Sequence, residues 1–217
     1  MGRWMLVMAC LGLAGCAVNF NAKVYVPEEF DFLEWQSSPS ARQGYVFITG
    51  RIERNQAACV ANKIIALDQD RKIPRITLVI NSDGGETAGF RAIYNAVRMT
   101  SKPVDALNIG NCYSAACGIF AASTGRRKAY RNAHFMVHRP SMPGVIERGI
   151  YKKRIDFESD IYEAVLQDAG DLPKSWFPLS GRMHYFTAEE AYEYRFVDDI
   201  VESLPNVKIL QDDNLVR

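Results

Sequence analysis

Short apolar runs and amphipathic runs follow one another along residues 45–201. Near-continuous apolar runs rich in Val, Ile and Phe predict strands that are buried on both faces. Apolar residues spaced three and four positions apart predict helices. The predicted strands are Tyr45–Gly50, Ile76–Asn81, Val104–Ile109, Ala133–Val137 and Val197–Val201, and Gly84-Gly85 is expected to end the second. The predicted helices are Asn55–Asp70, Thr87–Met99, Ser114–Thr124, Ile146–Ala169 and Ala188–Tyr194.

Alternation of strands and helices predicts an α/β domain built from right-handed βαβ units. We assign this domain to residues 44–203, which is a length that suits one hydrophobic core. Residues 16–43 are interpreted as a tether and N-terminal segment, and residues 204–217 as a C-terminal tail. With 26 basic and 25 acidic residues, the net charge is +1, so nothing in the composition indicates a nucleic-acid partner.

The N-terminus has the pattern of a secretory leader. Arg3 precedes an apolar run, Trp4–Leu13, which is too short to span a bilayer. The run closes at Leu13-Ala14-Gly15-Cys16, which resembles the lipobox of bacterial lipoproteins. That resemblance implies a signal peptide over residues 1–15 and lipid on Cys16. The alternative is an ordinary cleaved signal or a short anchor helix.

The lipobox resemblance also implies a location. A lipid on Cys16 would anchor the chain in a bacterial cell envelope. Ala17, rather than an aspartate, follows the cysteine and favours the outer membrane, facing the periplasm. No ATPase partner is expected there, because ATP is scarce outside the cytoplasm.

Three cysteines, Cys59, Cys112 and Cys117, lie within the predicted domain. An oxidising envelope permits one disulfide among them, but the sequence does not choose the pair. The alternative is that all three are small buried apolar residues. The three histidines, His134, His138 and His184, lack zinc-site spacing with these cysteines, so no metal and no cofactor is expected.

Two residues have the chemistry of an acyl-transfer pair. Ser114 lies where a predicted strand gives way to a helix, a place that exposes a serine at a sharp turn. Its alternative role is a helix N-cap. His138 ends a predicted strand and has the chemistry of a general base, although a single histidine is more often structural. The Gly84-Gly85 pair allows a backbone N–H to approach a ligand, or is simply a tight turn.

Taken together, three segments resemble the proteolytic subunit of the Clp protease. They are Ile80-Asn81-Ser82-Asp83-Gly84-Gly85, Gly110-Asn111-Cys112-Tyr113-Ser114 and Met136-Val137-His138-Arg139-Pro140. Ile48–Ile52 and Thr187–Asp198 add to the resemblance, which covers about residues 44–203. It implies a ClpP/crotonase-like α/β fold with repeated ββα units and a C-terminal helical handle.

The resemblance also implies a serine-type endopeptidase mechanism. Ser114 would be the nucleophile and His138 its base, and the backbone N–H groups of Gly85 and Ala115 would form the oxyanion hole. The substrate would be a peptide or an unfolded protein. Asp83 stands where the family usually has proline, and we give it no role.

The third triad position departs from the family. The aspartate position falls on Met183, which cannot orient or charge-stabilise an imidazole. A backbone carbonyl or a water, an acid such as Asp168 or Asp171, or a slow or dead site are the alternatives.

The family's handle corresponds to the charged helix Ile146–Ala169, whose charges are also typical of a solvated face. A homo-oligomeric ring is expected by resemblance, although a face-to-face double ring is hard to reconcile with lipid anchors. The rival hypotheses are a crotonase-type acyl-CoA enzyme and an inactive scaffold.

Overall fold

The computed structural model of the chain describes residues 44–140, 150–177 and 182–202. Its strands are β1 (Tyr45–Ile52), β2 (Ile76–Gly85), β3 (Val104–Tyr113), β4 (Arg127–Tyr130), β5 (His134–Val137), β6 (His184–Thr187) and β7 (Asp199–Val201). Its helices are α1 (Arg54–Gln69), α2 (Thr87–Met99), α3 (Ala115–Ala121), α4 (Ile150–Ala169) and α5 (Ala188–Glu193), with a 3-10 turn at Lys174–Trp176.

The described strands form one mostly parallel sheet that forks at β3. The main path runs β1-β2-β3-β4-β7, and its strands are all parallel. The first half of β3 pairs with β4, whereas its last residues pair with β5, which in turn pairs antiparallel with β6. The fork brings the end of β5 beside the end of β3. The predicted α/β class is therefore confirmed.

An aromatic cluster fills the core beneath β5. The ring of Phe135 lies 5.2 Å from that of Phe120 and 5.2 Å from that of Phe186. Phe196 closes the cluster at 5.7 Å from Phe135. Such large buried rings contribute much of the apolar area removed from water, so they fix β5 and the residues that follow it.

The predicted strands continue further than expected at their carboxyl ends. The glycine pair does not end β2, because Gly84 and Gly85 still pair with Arg51 and Ile52 of β1. Similarly, β3 passes through Gly110 to Tyr113. Glycine has a low strand propensity, but hydrogen bonds to the neighbouring strands outweigh it here. In contrast, α2 has the predicted bounds.

Two strands were not predicted. Both β4 and β6 are four residues long and carry polar or half-exposed side chains, so neither has a buried strand's apolar run. They are strands because β3 and β7 flank β4, and β5 pairs with β6. At the end of β6, Thr187 and Glu190 form a reciprocal capping box that begins α5.

Candidate active site

Ser114 occupies a sharp turn between β3 and α3. Its φ of 52° and ψ of −122° lie outside the regions that residues with a Cβ prefer, and its side chain makes no helix-cap hydrogen bond. Ser114 therefore occupies the N-cap position of α3, but its hydroxyl does not cap the helix. The Ser114 N–H donates to the Met136 carbonyl at 2.7 Å. Strained backbone of this kind at a strand-to-helix turn exposes a serine hydroxyl above the sheet.

His138 lies within hydrogen-bonding distance of that hydroxyl. Ser114 Oγ and His138 Nε2 are 2.7 Å apart. The contact depends on the fork in the sheet, because β3 and β5 pair as far as Tyr113 and Met136, one and two residues before the two side chains. The two residues that the sequence selects from distant positions are brought together.

The other imidazole nitrogen contacts a backbone oxygen. His138 Nδ1 lies 2.8 Å from the Arg139 carbonyl, which can only accept a hydrogen bond. We therefore assign the proton of the neutral ring to Nδ1, which leaves the lone pair of Nε2 directed at the Ser114 hydroxyl. This is the tautomer that a general base requires.

Met183 does not hold this imidazole. The β5–β6 ladder ends at the pair Val137–His184, and His138 and Met183 each lie one residue beyond it along the chain. The Met183 side chain is 60% exposed, and its sulfur lies 3.5 Å from the Tyr185 hydroxyl.

Neither upstream acid is the imidazole's partner. Asp171 pairs with Arg195. Asp168 is near Arg127, whose pKa is lowered by burial and is only partly restored by the charges of Asp198 and Asp168. Of the alternatives named for the third position, the structure shows a backbone carbonyl, that of Arg139, in contact with the imidazole.

Glycine is required next to Ser114 because backbone segments touch there. Gly84 has φ +84°, and a Cβ on it would lie 2.5 Å from the Tyr113 carbonyl oxygen. A Cβ on Gly85 would lie 2.1 Å from the Ile52 carbonyl oxygen. Real Cβ atoms do not come this close to backbone, so the glycine pair is required for packing as well as for any ligand.

The predicted oxyanion-hole residues line one small cleft together with the Ser114–His138 pair. Its volume is about 50 Å³, which is too small to enclose a drug-sized ligand. The lining residues are Gly85, Thr87, Phe90, Ser114, Ala115, His138, Pro140 and Tyr162.

Two contacts from α4 support the pair, and sequence reasoning missed both. The Tyr162 hydroxyl donates to the Ser114 carbonyl at 2.6 Å, and Arg139 pairs with Asp156. Burial, with smaller effects from the Cys117 and Cys112 thiols, raises the pKa of Tyr162 well above its ordinary value, so its hydroxyl remains a donor. In the sequence, Asp156 is one of many charged residues on the predicted helix Ile146–Ala169, and no sequence signal distinguishes it from its neighbours.

The three cysteines within the described ranges are free. Cys112 and Cys117 are buried and Cys59 is partly buried. The Cys117 thiol donates to the Cys112 carbonyl at 2.8 Å, directly behind the Ser114 turn. The disulfide that the sequence permitted is therefore absent among these three residues.

Comparison with known proteins identifies the family. The family model described as "Clp protease" matches residues 36–204. The chain belongs to the Clp protease family. It therefore has the scaffold of a serine peptidase.

Two curated members of the Clp protease family illustrate the relationship. The chain is 30% identical over 174 residues to the ATP-dependent Clp protease proteolytic subunit 3 of Streptomyces coelicolor, covering 76% of this chain and 79% of that one. It is 32% identical over 148 residues to proteolytic subunit 2 of Mycobacterium tuberculosis, covering 63% and 66%.

A solved structure supports the fold. A ClpP1 point mutant from Listeria monocytogenes superposes with a TM-score of 0.65 at 23% identity, covering 75% of this chain and 94% of that one. At this identity the likeness shows the fold alone, and it confirms the predicted ClpP/crotonase-like architecture.

Several predictions concern residues that the structure does not describe. The signal peptide at residues 1–15, Cys16, the tether at 16–43 and the tail at 204–217 lie outside the described residues. Within the described ranges, no helix is long and apolar enough to cross a membrane. The same ranges contain no group of three or more His, Cys, Asp or Glu side chains suited to a metal ion.

Proposed function

We propose that this protein is a serine peptidase that cleaves peptide bonds through a Ser114–His138 dyad. The observation that carries the proposal is the 2.7 Å contact between Ser114 Oγ and His138 Nε2 at a strained turn. The coarser conclusion, a serine-peptidase scaffold, follows from family membership. The proposal adds the residues and the mechanism.

In the proposed reaction, Ser114 Oγ attacks the scissile carbonyl while His138 Nε2 accepts the hydroxyl proton. The resulting imidazolium donates through Nδ1–H to the Arg139 carbonyl and then protonates the leaving amine, which leaves the acyl group as an ester on Ser114. A water molecule, deprotonated by His138, then hydrolyses this ester and restores the Ser114 hydroxyl. A neutral carbonyl stabilises an imidazolium less than a carboxylate does. We therefore expect the dyad to act more slowly than a complete triad.

The oxyanion of the intermediate would lie between the backbone N–H groups of Gly85 and Ala115. Both residues line the cleft beside Ser114. Removing one donor from such a site typically costs about 3 kcal/mol of transition-state stabilisation. A backbone donor requires no side chain, which suits the crowded contact between the glycine pair and the turn.

We further propose that a lipid on Cys16 anchors the mature chain in the cell envelope and that its substrates are peptides or unfolded proteins. The support is the Leu13-Ala14-Gly15-Cys16 pattern after a short apolar run. Mass spectrometry of the mature N-terminus from producing cells tests the anchor. We expect a chain that begins at an acylated Cys16, and a Cys16→Ser chain that stays unacylated.

A fluorophosphonate probe tests the catalytic proposal. We would treat the purified full chain with the probe, measure the mass shift, and compare Ser114→Ala and His138→Ala in parallel. Labelling of the wild type alone supports the dyad. If the wild type is folded but unlabelled, the catalytic proposal is rejected and a scaffold role is favoured. The specific argument for a scaffold is that position 183 carries an exposed methionine instead of the aspartate of a triad.

A further inference from the structure

Arg139 is linked to helix α4 by a partly buried ion pair. Its Nη2 donates to Asp156 Oδ1 at 3.0 Å. The Arg139 side chain is 14% exposed and that of Asp156 is 38% exposed. Charges removed from water to this extent are screened less by salt than two fully exposed charges. The ion pair therefore restrains Arg139 relative to α4.

Arg139 is also the residue whose carbonyl accepts the His138 Nδ1 proton. The direction of that carbonyl depends on the backbone of Arg139, and Pro140 follows it. A residue before proline is confined to extended ψ values. Once ψ is confined, the carbonyl oxygen moves only if the Arg139 backbone as a whole moves, and the ion pair to Asp156 opposes this.

We propose that Asp156 is a positioning residue for His138 and acts through the Arg139 ion pair and the Arg139 carbonyl. The carboxylate does not touch the imidazole; it holds the group that does. This inference rests on the proposed function, because the orientation of His138 matters to catalysis only if His138 is the base.

Glu158, the next acidic residue along α4, has cationic partners of its own. Glu158 pairs with Arg91 at 2.8 Å, and Arg154 lies 3.9 Å from the same carboxylate. Asp160 is exposed on the same helix. It carries the same charge as Asp156 and serves as the matched control.

Two substitutions separate positioning from simple electrostatics. Asp156→Asn removes a negative charge and Arg139→Gln removes a positive one, yet both break the same ion pair. A field effect on His138 would change its proton affinity in opposite directions. A positioning effect would weaken the Nδ1–H hydrogen bond in both variants.

The experiment combines nitrogen-15 NMR of the histidine rings with the rate of fluorophosphonate labelling in the full chain. The chain has three histidines, so His138→Gln is enough to assign the ring. We expect both variants to lower the Nδ1–H fraction of neutral His138. We also expect the labelling rate of both variants to fall about five-fold, measured at an alkaline pH where the rate no longer changes with pH. A factor of this order is expected for the loss of one partly buried ion pair.

Asp156→Glu, which retains the carboxylate, should recover much of the wild-type signal, and Asp160→Asn should match the wild type. Opposite responses of Asp156→Asn and Arg139→Gln, or responses no larger than that of Asp160→Asn, would overturn the inference. If both variants lose the Nδ1–H signal while even the wild type is unlabelled, the positioning role stands and the peptidase proposal fails.

Discussion

The two partners of the Ser114–His138 pair are held by different kinds of interaction. Ser114 lies between two elements of the core, and its strained turn is enforced by backbone contact with Gly84 and by the hydrogen bond to Met136. His138 follows the last residue of β5 and is oriented by one backbone carbonyl at the edge of the cleft.

This difference teaches that the two halves respond differently to substitution. Close-packed backbone has no room to adjust, so a change beside Ser114 disturbs fold and site together. The contacts that orient His138 are polar and partly buried rather than close-packed backbone, so a change there alters geometry at a smaller cost in stability. The predictions below test this contrast, from the largest expected effect to the smallest.

Gly84→Ala should be the most damaging change. The new Cβ would lie 2.5 Å from the Tyr113 carbonyl oxygen, and the alanine would have to adopt a φ of +84°. We expect a loss of roughly 3 kcal/mol in the free energy of unfolding, together with loss of Ser114 labelling. Urea unfolding and the fluorophosphonate assay measure the two effects.

Gly50→Ala is the matched control for this change. Gly50 also has a positive φ, +67°, but nothing lies within 4 Å of its ideal Cβ. It should lose only about 1 kcal/mol, from backbone strain alone. Equal losses in the two variants would show that close contact contributes nothing at Gly84.

Met183→Asp should accelerate the reaction with little change in stability. The β5–β6 ladder ends at Val137 and His184, the residues next to His138 and Met183, so we expect a carboxylate at position 183 to reach the imidazole. We expect at least about a ten-fold gain in the rate of peptide cleavage, since an acid partner is worth several orders of magnitude in complete triads.

Met183→Asn is the control, because it matches the shape of aspartate without its charge. A rate for Met183→Asp that does not exceed that of Met183→Asn would mean that the carbonyl of Arg139 already does all that a carboxylate can do there.

Tyr162→Phe should weaken the Ser114 half by a smaller amount. The substitution leaves the buried Ser114 carbonyl without the hydroxyl that now donates to it at 2.6 Å. That carbonyl still accepts from the Cys117 N–H at 2.8 Å, so only one of its two hydrogen bonds is lost. We expect a loss of about 1 kcal/mol in the free energy of unfolding, so unfolding should begin at lower urea and labelling should slow. Tyr192→Phe, at a tyrosine that is 53% exposed, should change neither quantity.

His184 should contribute a small pH dependence of stability. It stacks on Trp176 at 3.7 Å, and burial lowers its pKa although Glu190 partly opposes this. The unfolded imidazole therefore binds a proton more readily than the folded one. Stability is then lost as the pH falls through about 6.5, the ordinary imidazole value.

The free energies of unfolding at pH 7.5 and 5.5 measure this loss. His184→Phe should reduce the difference between the two pH values. A difference that survives His184→Phe would assign the pH dependence to another group.

The elements with strong apolar patterns could be predicted from the sequence. The bounds of α2 agree with its pattern, because an amphipathic helix is determined by residues close together in the chain. The short polar strands β4 and β6 could not be predicted, because their hydrogen-bond partners come from distant segments. For the same reason, the predicted ends of β2 and β3, at Asn81 and Ile109, fall short of the observed ends at Gly85 and Tyr113.

By itself, the sequence determined the α/β class, the residues Ser114 and His138 as candidates, and the absence of a carboxylate at position 183. These follow from local periodicity and from side-chain identity, which the chain carries wherever it is folded. Only the tertiary structure decided what orients the imidazole. Every residue has a backbone carbonyl, so nothing in the sequence distinguishes Arg139. The path of the chain past β5, and the packing of α4 against it, select that one carbonyl.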